Sequence, residues 1–280
     1  MSTHVFDEAV RLHPLADDGR QRGHTHPGYQ NMVGPYGGIT AAVLMQAVLN
    51  HPRLLGEPIA ITVNFAGPVA EGPFIVDAQP VRTNNTTQHW VVTQTPAEAD
   101  GLPRAGPPST TATVVTAARR RTWSASDAPL PEGPGPAECV PSDRGALAGA
   151  PAWLSRYEMR PITGALPVAW DEQEAEPLTR MWVRDTPPRP LDFASLTALA
   201  DTFFPLVWLR RARRTAVGTV SMSVYFHADT PQLAASGTQY LLAQARGQAF
   251  RHGFFDHSGQ LWNEQGMLLA TTHQIVYYKD

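Results

Sequence analysis

The stretch at residues 32–51, MVGPYGGITAAVLMQAVLNH, decides how the rest of the chain is organised. From residue 39 to residue 49 it is apolar on every side, interrupted only by Thr40 and Gln46. This pattern predicts a helix surrounded by protein rather than one lying on a surface. Asparagine, histidine and proline follow at residues 50–52, where we expect the helix to end.

Three glycines, Gly34, Gly37 and Gly38, precede or begin this helix. They permit close backbone approach. The first N–H groups of a helix lack intrahelical partners and carry the positive end of its dipole, so they can hold an anion or a polarised carbonyl oxygen. The alternative is that Gly37 and Gly38 only let the helix pack tightly against a sheet, and the glycines alone do not decide between the two.

The composition narrows the classes of function. With 280 residues the chain can bury one large core or two ordinary ones. Its net charge of −3 and the lack of a long basic block argue against nucleic acid as the main partner. No apolar run is long enough to span a membrane, and the first residues lack the pattern of a secretory signal. We therefore expect a cytoplasmic protein with no membrane span.

Several kinds of catalysis are disfavoured by single residue types. Cys139 is the only cysteine and lies in a Pro/Gly-rich stretch, which argues against a catalytic thiol. Lys279 is the only lysine, so Schiff-base chemistry is excluded. The histidines closest in sequence, His24 and His26, lack a third ligand at metal spacing. The sequence also lacks the nucleophile elbow of serine hydrolases and the dinucleotide and phosphate-loop fingerprints, so we expect neither a metal nor a cofactor.

The order of predicted elements repeats along the chain. Residues 5–12 alternate loosely and are predicted to form a first strand, which precedes the helix. Four strands are predicted after the helix, at residues 59–65, 74–81, 89–95 and 110–117. In the second half a strand at 178–184 and a helix at 191–204, ended by Pro205, precede strands at 219–226, 238–245, 248–255 and 267–277.

Residues 119–151 separate the two halves and are rich in proline, alanine, glycine and serine. We interpret this segment as a linker. Corresponding elements are offset by about 160 residues, which suits a duplicated domain rather than a solenoid. The predicted organisation is an N-terminal unit at 1–120, a linker at 121–151 and a C-terminal unit at 152–280.

Short motifs in both halves carry a family resemblance. The first half has Gly37-Gly38 at the helix entry, VNF at 63–65, GP at 67–68, VR at 81–82 and QH at 88–89. The second half has EMRP at 158–161, RMWVR at 180–184, AD at 200–201, TVSMSVYFH at 219–227 and GMLLATTHQ at 266–274. In this order the motifs resemble the double-hotdog acyl-CoA thioesterases of the acyl-CoA thioesterase II type, over nearly all of the chain outside the linker.

The resemblance implies an α+β fold, a double hotdog of two helix-plus-antiparallel-sheet units. It also implies hydrolysis of acyl-CoA to free acid and CoA, and a homo-oligomer. In that family an Asp, a Thr and a Gln orient the attacking water, and these fall on Asp201, Thr219 and Gln274. A carboxylate in a largely apolar helix is costly unless it is paired or used. The helix start at Gly37 and Gly38 would supply the donors that stabilise the oxyanion.

Two other functions stay open from the residues. One is a non-catalytic protein that binds acyl-CoA or lipid on the same scaffold, because fold does not fix function. The other is an enoyl-CoA hydratase, which is disfavoured because no histidine closely follows Asp201. The arginines Arg210, Arg211, Arg213 and Arg214 could bind a CoA phosphate, although such a run is more often a solvated loop or a subunit contact.

Overall fold

The computed structural model describes residues 3–15, 18–98, 102–142, 149–167 and 170–279. In this part of the chain, twelve strands form a single sheet whose paired neighbours are all antiparallel. The strands are β1 (His13–Pro14), β2 (Arg20–His24), β3 (Glu57–Phe65), β4 (Pro73–Thr83), β5 (Thr87–Pro96), β6 (Thr110–Ala117), β7 (Tyr157–Thr163), β8 (Leu178–Asp185), β9 (Val217–Phe226), β10 (Leu241–Arg251), β11 (Phe254–Asn263) and β12 (Leu268–Tyr278).

The order of strands in the sheet shows the duplication directly. It runs β1-β2-β4-β5-β6-β3 through the first half and β9-β12-β11-β10-β8-β7 through the second. Each half reads as the reverse of the other, with β3 and β9 paired at the centre from Ala60↔Tyr225 to Asn64↔Ser221. The predicted α+β double hotdog is therefore confirmed.

The two long apolar segments of the sequence form the helices that the sheet encloses. The described helices are α1 (Val5–Ala9), α2 (Gly37–Leu49), α3 (Phe193–Leu199), α4 (Val207–Arg211) and α5 (Thr230–Ser236). Ten of the thirteen residues of α2 are buried, all of them between Gly38 and Val48, as its all-round apolar pattern predicts. All seven residues of α3 are buried, and α2 and α3 pack against each other. A single hydrophobic core contains residues of both halves.

Three predicted elements differ from the structure. Residues 5–12 do not form a strand: α1 lies there, and its N-cap His4 accepts a hydrogen bond from the Phe6 N–H, which loose alternation cannot reveal. The predicted helix at 191–204 ends at Leu199, because the chain tightens there into a turn in which the Asp201 N–H donates to the Ala198 carbonyl. The predicted strand at 248–255 is wrong, since it spans the hairpin turn between β10 and β11, where His252 has a φ of 56°.

The described residues of the predicted linker pack on the second half of the sheet; residues 143–148 lie outside the described part. The indole N–H groups of Trp182 and Trp262 donate to the carbonyls of Pro134 and Ala128. Cys139 is buried with them in a small second core. This segment therefore covers the outer face of the sheet there. Among the described residues, no helix combines the length and hydrophobicity that a membrane crossing requires.

Candidate active site

Asp201 lies in the turn that directly follows α3, at the meeting point of the two halves. Its side chain is buried, with 8% of the residue exposed. A buried carboxyl group needs hydrogen-bond donors, because an unpaired charge is costly away from water. Two donors come from opposite halves of the molecule: the side-chain amide of Gln274 and the backbone N–H of Gly38.

Gln274 connects Asp201 to Thr219. Its Nε2 donates to Asp201 Oδ1 at 2.8 Å, and its Oε1 accepts a longer hydrogen bond, 3.4 Å, from Thr219 Oγ1. Thr219 reaches this position because the register between β9 and β12 shifts by one residue. Ile275 pairs with Ser221 and Val276 pairs with Thr219, so Val220 is the extra residue of a bulge. The structure thus brings the three predicted catalytic residues into one chain of hydrogen bonds.

Burial controls the ionisation of Asp201. Desolvation raises the pKa of its carboxyl group from 3.8 to about 7, and the hydrogen bonds from Gln274 and Gly38 oppose that rise. A carboxyl group with this pKa is partly ionised near neutral pH, as a general base requires. The electrostatics therefore suit proton abstraction from a bound water.

The start of α2 faces this carboxyl group closely. A Cβ atom added at Gly37 would lie 2.9 Å from Asp201 Oδ2, and one added at Gly38 would lie 2.6 Å from the Ala198 carbonyl oxygen. The Tyr36 hydroxyl donates to that same Ala198 oxygen at 2.8 Å. The glycines are therefore needed for close packing, and their backbone also faces the site. Close packing at Gly37 and Gly38 is thus confirmed, whereas binding of a substrate oxygen by the start of α2 stays a prediction.

Comparison with known families identifies the chain. A model of the acyl-CoA thioesterase N-terminal domain matches residues 26–123, and a model of the acyl-CoA thioesterase C-terminal domain matches residues 126–278. The chain belongs to the acyl-CoA thioesterase family. The second match begins within the predicted linker, at the residues that pack on the second half of the sheet. No match was found among curated proteins.

Solved structures agree with this fold. A protein of unknown function with a hot dog fold from Alicyclobacillus acidocaldarius is 43% identical, with a TM-score of 0.89, and the match covers 100% of this chain and 99% of that one. A TesB protein from Mycobacterium avium subspecies paratuberculosis is 16% identical, with a TM-score of 0.73 and 98% of each chain covered. An acyl-CoA thioesterase II from Mycobacterium marinum is 14% identical, with a TM-score of 0.74 and 98% of each chain covered. The two distant matches show the fold.

Other candidate features of this acyl-CoA thioesterase family member lie apart from the hydrogen-bonded chain. Arg210 pairs with Glu174, and Arg213 and Arg214 are exposed, so a contact with CoA phosphate stays a prediction. The described residues contain no group of side chains that could hold a metal ion. A surface depression of about 530 Å³ lies along β1 and β2 and does not include Asp201.

Sequence reasoning missed two buried polar residues beside Gln274. His257 on β11 pairs directly with Gln274 in the antiparallel register, and Thr272 precedes Gln274 by two residues on β12. Both are at least 97% buried. The alternation of buried residues Phe255, His257 and Leu261 would have placed His257 on the core face, but the predicted strands did not include β11 as a separate element.

Proposed function

We propose that the protein hydrolyses acyl-CoA thioesters with a water molecule held by Asp201, Gln274 and Thr219. The observation that carries this proposal is the buried 2.8 Å hydrogen bond from Gln274 Nε2 to Asp201 Oδ1. On the same amide group, Gln274 Oε1 accepts a hydrogen bond from Thr219 Oγ1. Asp201 keeps a second oxygen that can accept a hydrogen bond from water. Membership in the acyl-CoA thioesterase family supports the same reaction.

The proposed reaction starts with attack of this water on the thioester carbonyl carbon. Asp201 accepts a proton from the water as the new carbon–oxygen bond forms, which gives a tetrahedral oxyanion. When the oxyanion collapses, the carbon–sulfur bond breaks, and the CoA thiolate takes back the proton from Asp201. The products are the free acid and CoA, and Asp201 returns to its ionised form.

In the proposed reaction, negative charge moves from Asp201 to the substrate carbonyl oxygen near the start of α2. Before attack, the charge is on Asp201 and the Gly38 N–H donates to it. During attack, Asp201 becomes neutral and the charge moves to the former carbonyl oxygen. We infer that the first-turn N–H groups of α2, at Gly37 and Gly38, stabilise this oxyanion, because a fixed donor array does not have to reorganise as charge develops.

The first experiment measures release of free CoA from acyl-CoA substrates of short to long chain by the wild type and by Asp201→Asn. We expect kcat to fall at least about 100-fold in this variant, the usual loss when a general base is removed. Asp171→Asn, at an exposed position, is the matched control and should keep full activity. Full activity of Asp201→Asn would overturn the proposed mechanism. Binding of acyl-CoA without turnover of any chain length by the wild type would instead favour the non-catalytic binding protein.

Two further properties are also proposals. We propose that the protein is cytoplasmic, as the composition predicts, and that it forms a homo-oligomer, as the family resemblance implies. Size-exclusion chromatography with light scattering tests the second property, and a mass equal to the 30.5 kDa chain would contradict it.

A further inference from the structure

His257 lies beside the proposed catalytic amide on the core face of the sheet. Its strand partner across the β11–β12 ladder is Gln274, so their Cβ atoms are about 5 Å apart. His257 is 1% exposed and Gln274 is 3% exposed. The ring of Phe203, two residues beyond Asp201, packs edge-on against the imidazole with 5.8 Å between ring centroids. His257 is therefore in contact with both segments that carry the proposed catalytic groups.

Thr272 extends this polar surface along β12. It points to the same face as Gln274, because alternate residues of a strand share a face, and it is 3% exposed. Gly259 lies opposite Thr272, and a Cβ atom there would be 3.0 Å from the ring of Phe203. The polar groups of His257, Thr272 and Gln274 thus line one region under the Phe203 ring.

The polar atoms of this region lack partners within the protein. In the described part of the chain, the two ring nitrogens of His257 and the hydroxyl of Thr272 have no hydrogen-bond partner. Leaving a buried donor or acceptor unpaired is costly, because the group loses its hydrogen bonds to water without replacement. Such groups are normally paired, so three unpaired polar atoms in one region indicate a recognition site for a polar group from outside the protein.

The chemistry of the two side chains restricts that group. Burial lowers the pKa of His257 to about 4, so the imidazole is neutral near pH 7, with one nitrogen that donates and one that accepts. The threonine hydroxyl also donates and accepts. A neutral donor–acceptor pair suits a hydroxyl group, whereas a carboxylate would be buried here without a counter-charge.

We propose that His257 and Thr272 form a subsite that binds a hydroxyl group on the acyl chain, close to the thioester carbonyl, so that the preferred substrates are hydroxyacyl-CoA thioesters. This inference rests on the proposed function, because the subsite is placed relative to the water site at Gln274. His257 lies across the ladder from Gln274, and Thr272 lies two residues before it on the same strand, so both are within about 5–7 Å of Gln274. This distance corresponds to the first few carbons of the acyl chain.

The test compares β-hydroxybutyryl-CoA with butyryl-CoA, which differ only in the hydroxyl group. We expect the wild type to show kcat/KM at least about 10-fold higher for the hydroxylated substrate, since a site built for a hydroxyl rejects an analogue without it. His257→Leu and Thr272→Val should each reduce this ratio toward one. His257→Gln, which keeps a donor and an acceptor, should retain part of it.

The control variants lie on the same strand but on the opposite face. They are His273→Leu and Thr271→Val, which lie on either side of Thr272 in β12. On the exposed face, His273 contacts Asp256 and Thr271 contacts His227. Both should keep the wild-type ratio of kcat/KM. The melting temperature gives a second measure: removal of an unpaired imidazole in His257→Leu should raise it, whereas a merely structural histidine would lower it. Thr272→Val, which is close in shape to threonine, covers the case in which His257→Leu does not fold.

Binding separates this inference from the proposed function. Calorimetry of both substrates with Asp201→Asn measures the preference without turnover, and we expect a dissociation constant at least about 10-fold lower for β-hydroxybutyryl-CoA. Equal kcat/KM values and equal dissociation constants, unchanged in His257→Leu, would overturn the subsite and leave the thioesterase proposal intact. Preferential binding by Asp201→Asn together with no hydrolysis of either substrate by the wild type would support the subsite and overturn the thioesterase.

Discussion

Asp201 is a buried carboxyl group, and its ionisation should appear directly in the pH dependence of the reaction. The pKa of about 7 means that the proposed base is protonated in acid, where it cannot accept a proton, and ionised above neutral pH. We therefore predict that kcat/KM of the wild type rises with pH through a midpoint near 7 and then levels off. A pH–rate profile measured with one acyl-CoA checks this. An Asp201 that titrates near pH 4 would give a flat profile between pH 5 and 8.

The same carboxyl group should also affect stability. Its folded pKa of about 7 lies above the ordinary aspartate value of 3.8, so folding favours the protonated form. The stability contributed by protonated Asp201 is present below about pH 4 and is lost as pH rises toward 7. The full shift corresponds to about 4 kcal/mol, and relaxation of the buried site reduces that figure. We predict that Asp201→Asn is little different from the wild type at pH 4 and increasingly more stable up to pH 7, measured by urea unfolding.

This comparison isolates Asp201 from other buried titratable groups. Burial raises the pKa of Asp185 to about 7 as well, and it lowers the pKa of His257 to about 4. As pH rises, Asp185 therefore lowers the free energy of unfolding, whereas His257 raises it. Both are present in the wild type and in the variant, so they cancel in the difference. A difference that does not change with pH would contradict the raised pKa of Asp201.

Gln274 and Thr219 should contribute unequally. Gln274 donates a 2.8 Å hydrogen bond that opposes the rise in the pKa of Asp201, whereas Thr219 makes only a 3.4 Å bond to Gln274. We predict that Gln274→Leu lowers kcat at least about 100-fold and moves the pH midpoint to higher pH. Thr219→Val should cost about 10-fold without moving the midpoint. Gln248→Leu, at an exposed position on β10, is the control; equal losses in Gln274→Leu and Thr219→Val would contradict the unequal roles.

At the scale of elements, α2 and α3 approach each other through Gly38. A Cβ atom there would lie 2.6 Å from a backbone oxygen, which cannot move without shifting α3. We predict that Gly38→Ala destabilises the protein by about 1–3 kcal/mol, the usual cost of overpacking, and also lowers activity. Gly67→Ala is the control, because its Cβ would meet nothing within 4 Å. Urea unfolding of both variants checks this, and equal stability would mean that the helices pack less closely.

The sequence predicted the elements that local patterns determine. The all-round apolar run of α2 and the β-branched runs of β3 to β6 were recognisable because periodicity reflects burial. The ends of α3 and β10 were not, since the turn after Leu199 and the turn at His252 depend on backbone geometry that apolar residues on both sides conceal. Asp201 therefore lies in a turn rather than on the helix predicted for it.

The candidate site was predicted only as far as the family resemblance extended. The sequence positions of Asp201, Thr219 and Gln274 came from the motifs, but their hydrogen bonds depend on the bulge at Val220 and on the contact between the halves. Neither feature has a local sequence pattern. His257 was missed because its role depends on which strand lies opposite β12, and pairing between strands is a property of the whole sheet.

At the scale of the whole molecule, the site depends on both halves at once. Gly38 belongs to the first half, and Asp201 and Gln274 belong to the second, so neither half alone contains all the donors to the carboxylate. The halves share one hydrophobic core and one sheet, joined through five residue pairs between β3 and β9. The two six-stranded halves, β1 to β6 and β7 to β12, are thus repeats of architecture that meet over an extensive interface, and the domain bounds 1–120 and 152–280 stay a prediction.

This shared core leads to the prediction that the protein unfolds in one cooperative transition. Tryptophan fluorescence reports on the second half when Trp90 is removed, because the other six tryptophans lie at residue 123 or beyond. We expect the urea midpoint from fluorescence of a Trp90→Phe variant to coincide with the midpoint from far-ultraviolet circular dichroism of the same variant, which follows both halves. Trp182→Phe, which also loses a buried indole group, is the control. Fluorescence and dichroism midpoints that separate would show that the two halves unfold independently, and a destabilised first half could then expose Asp201 before the second half unfolds.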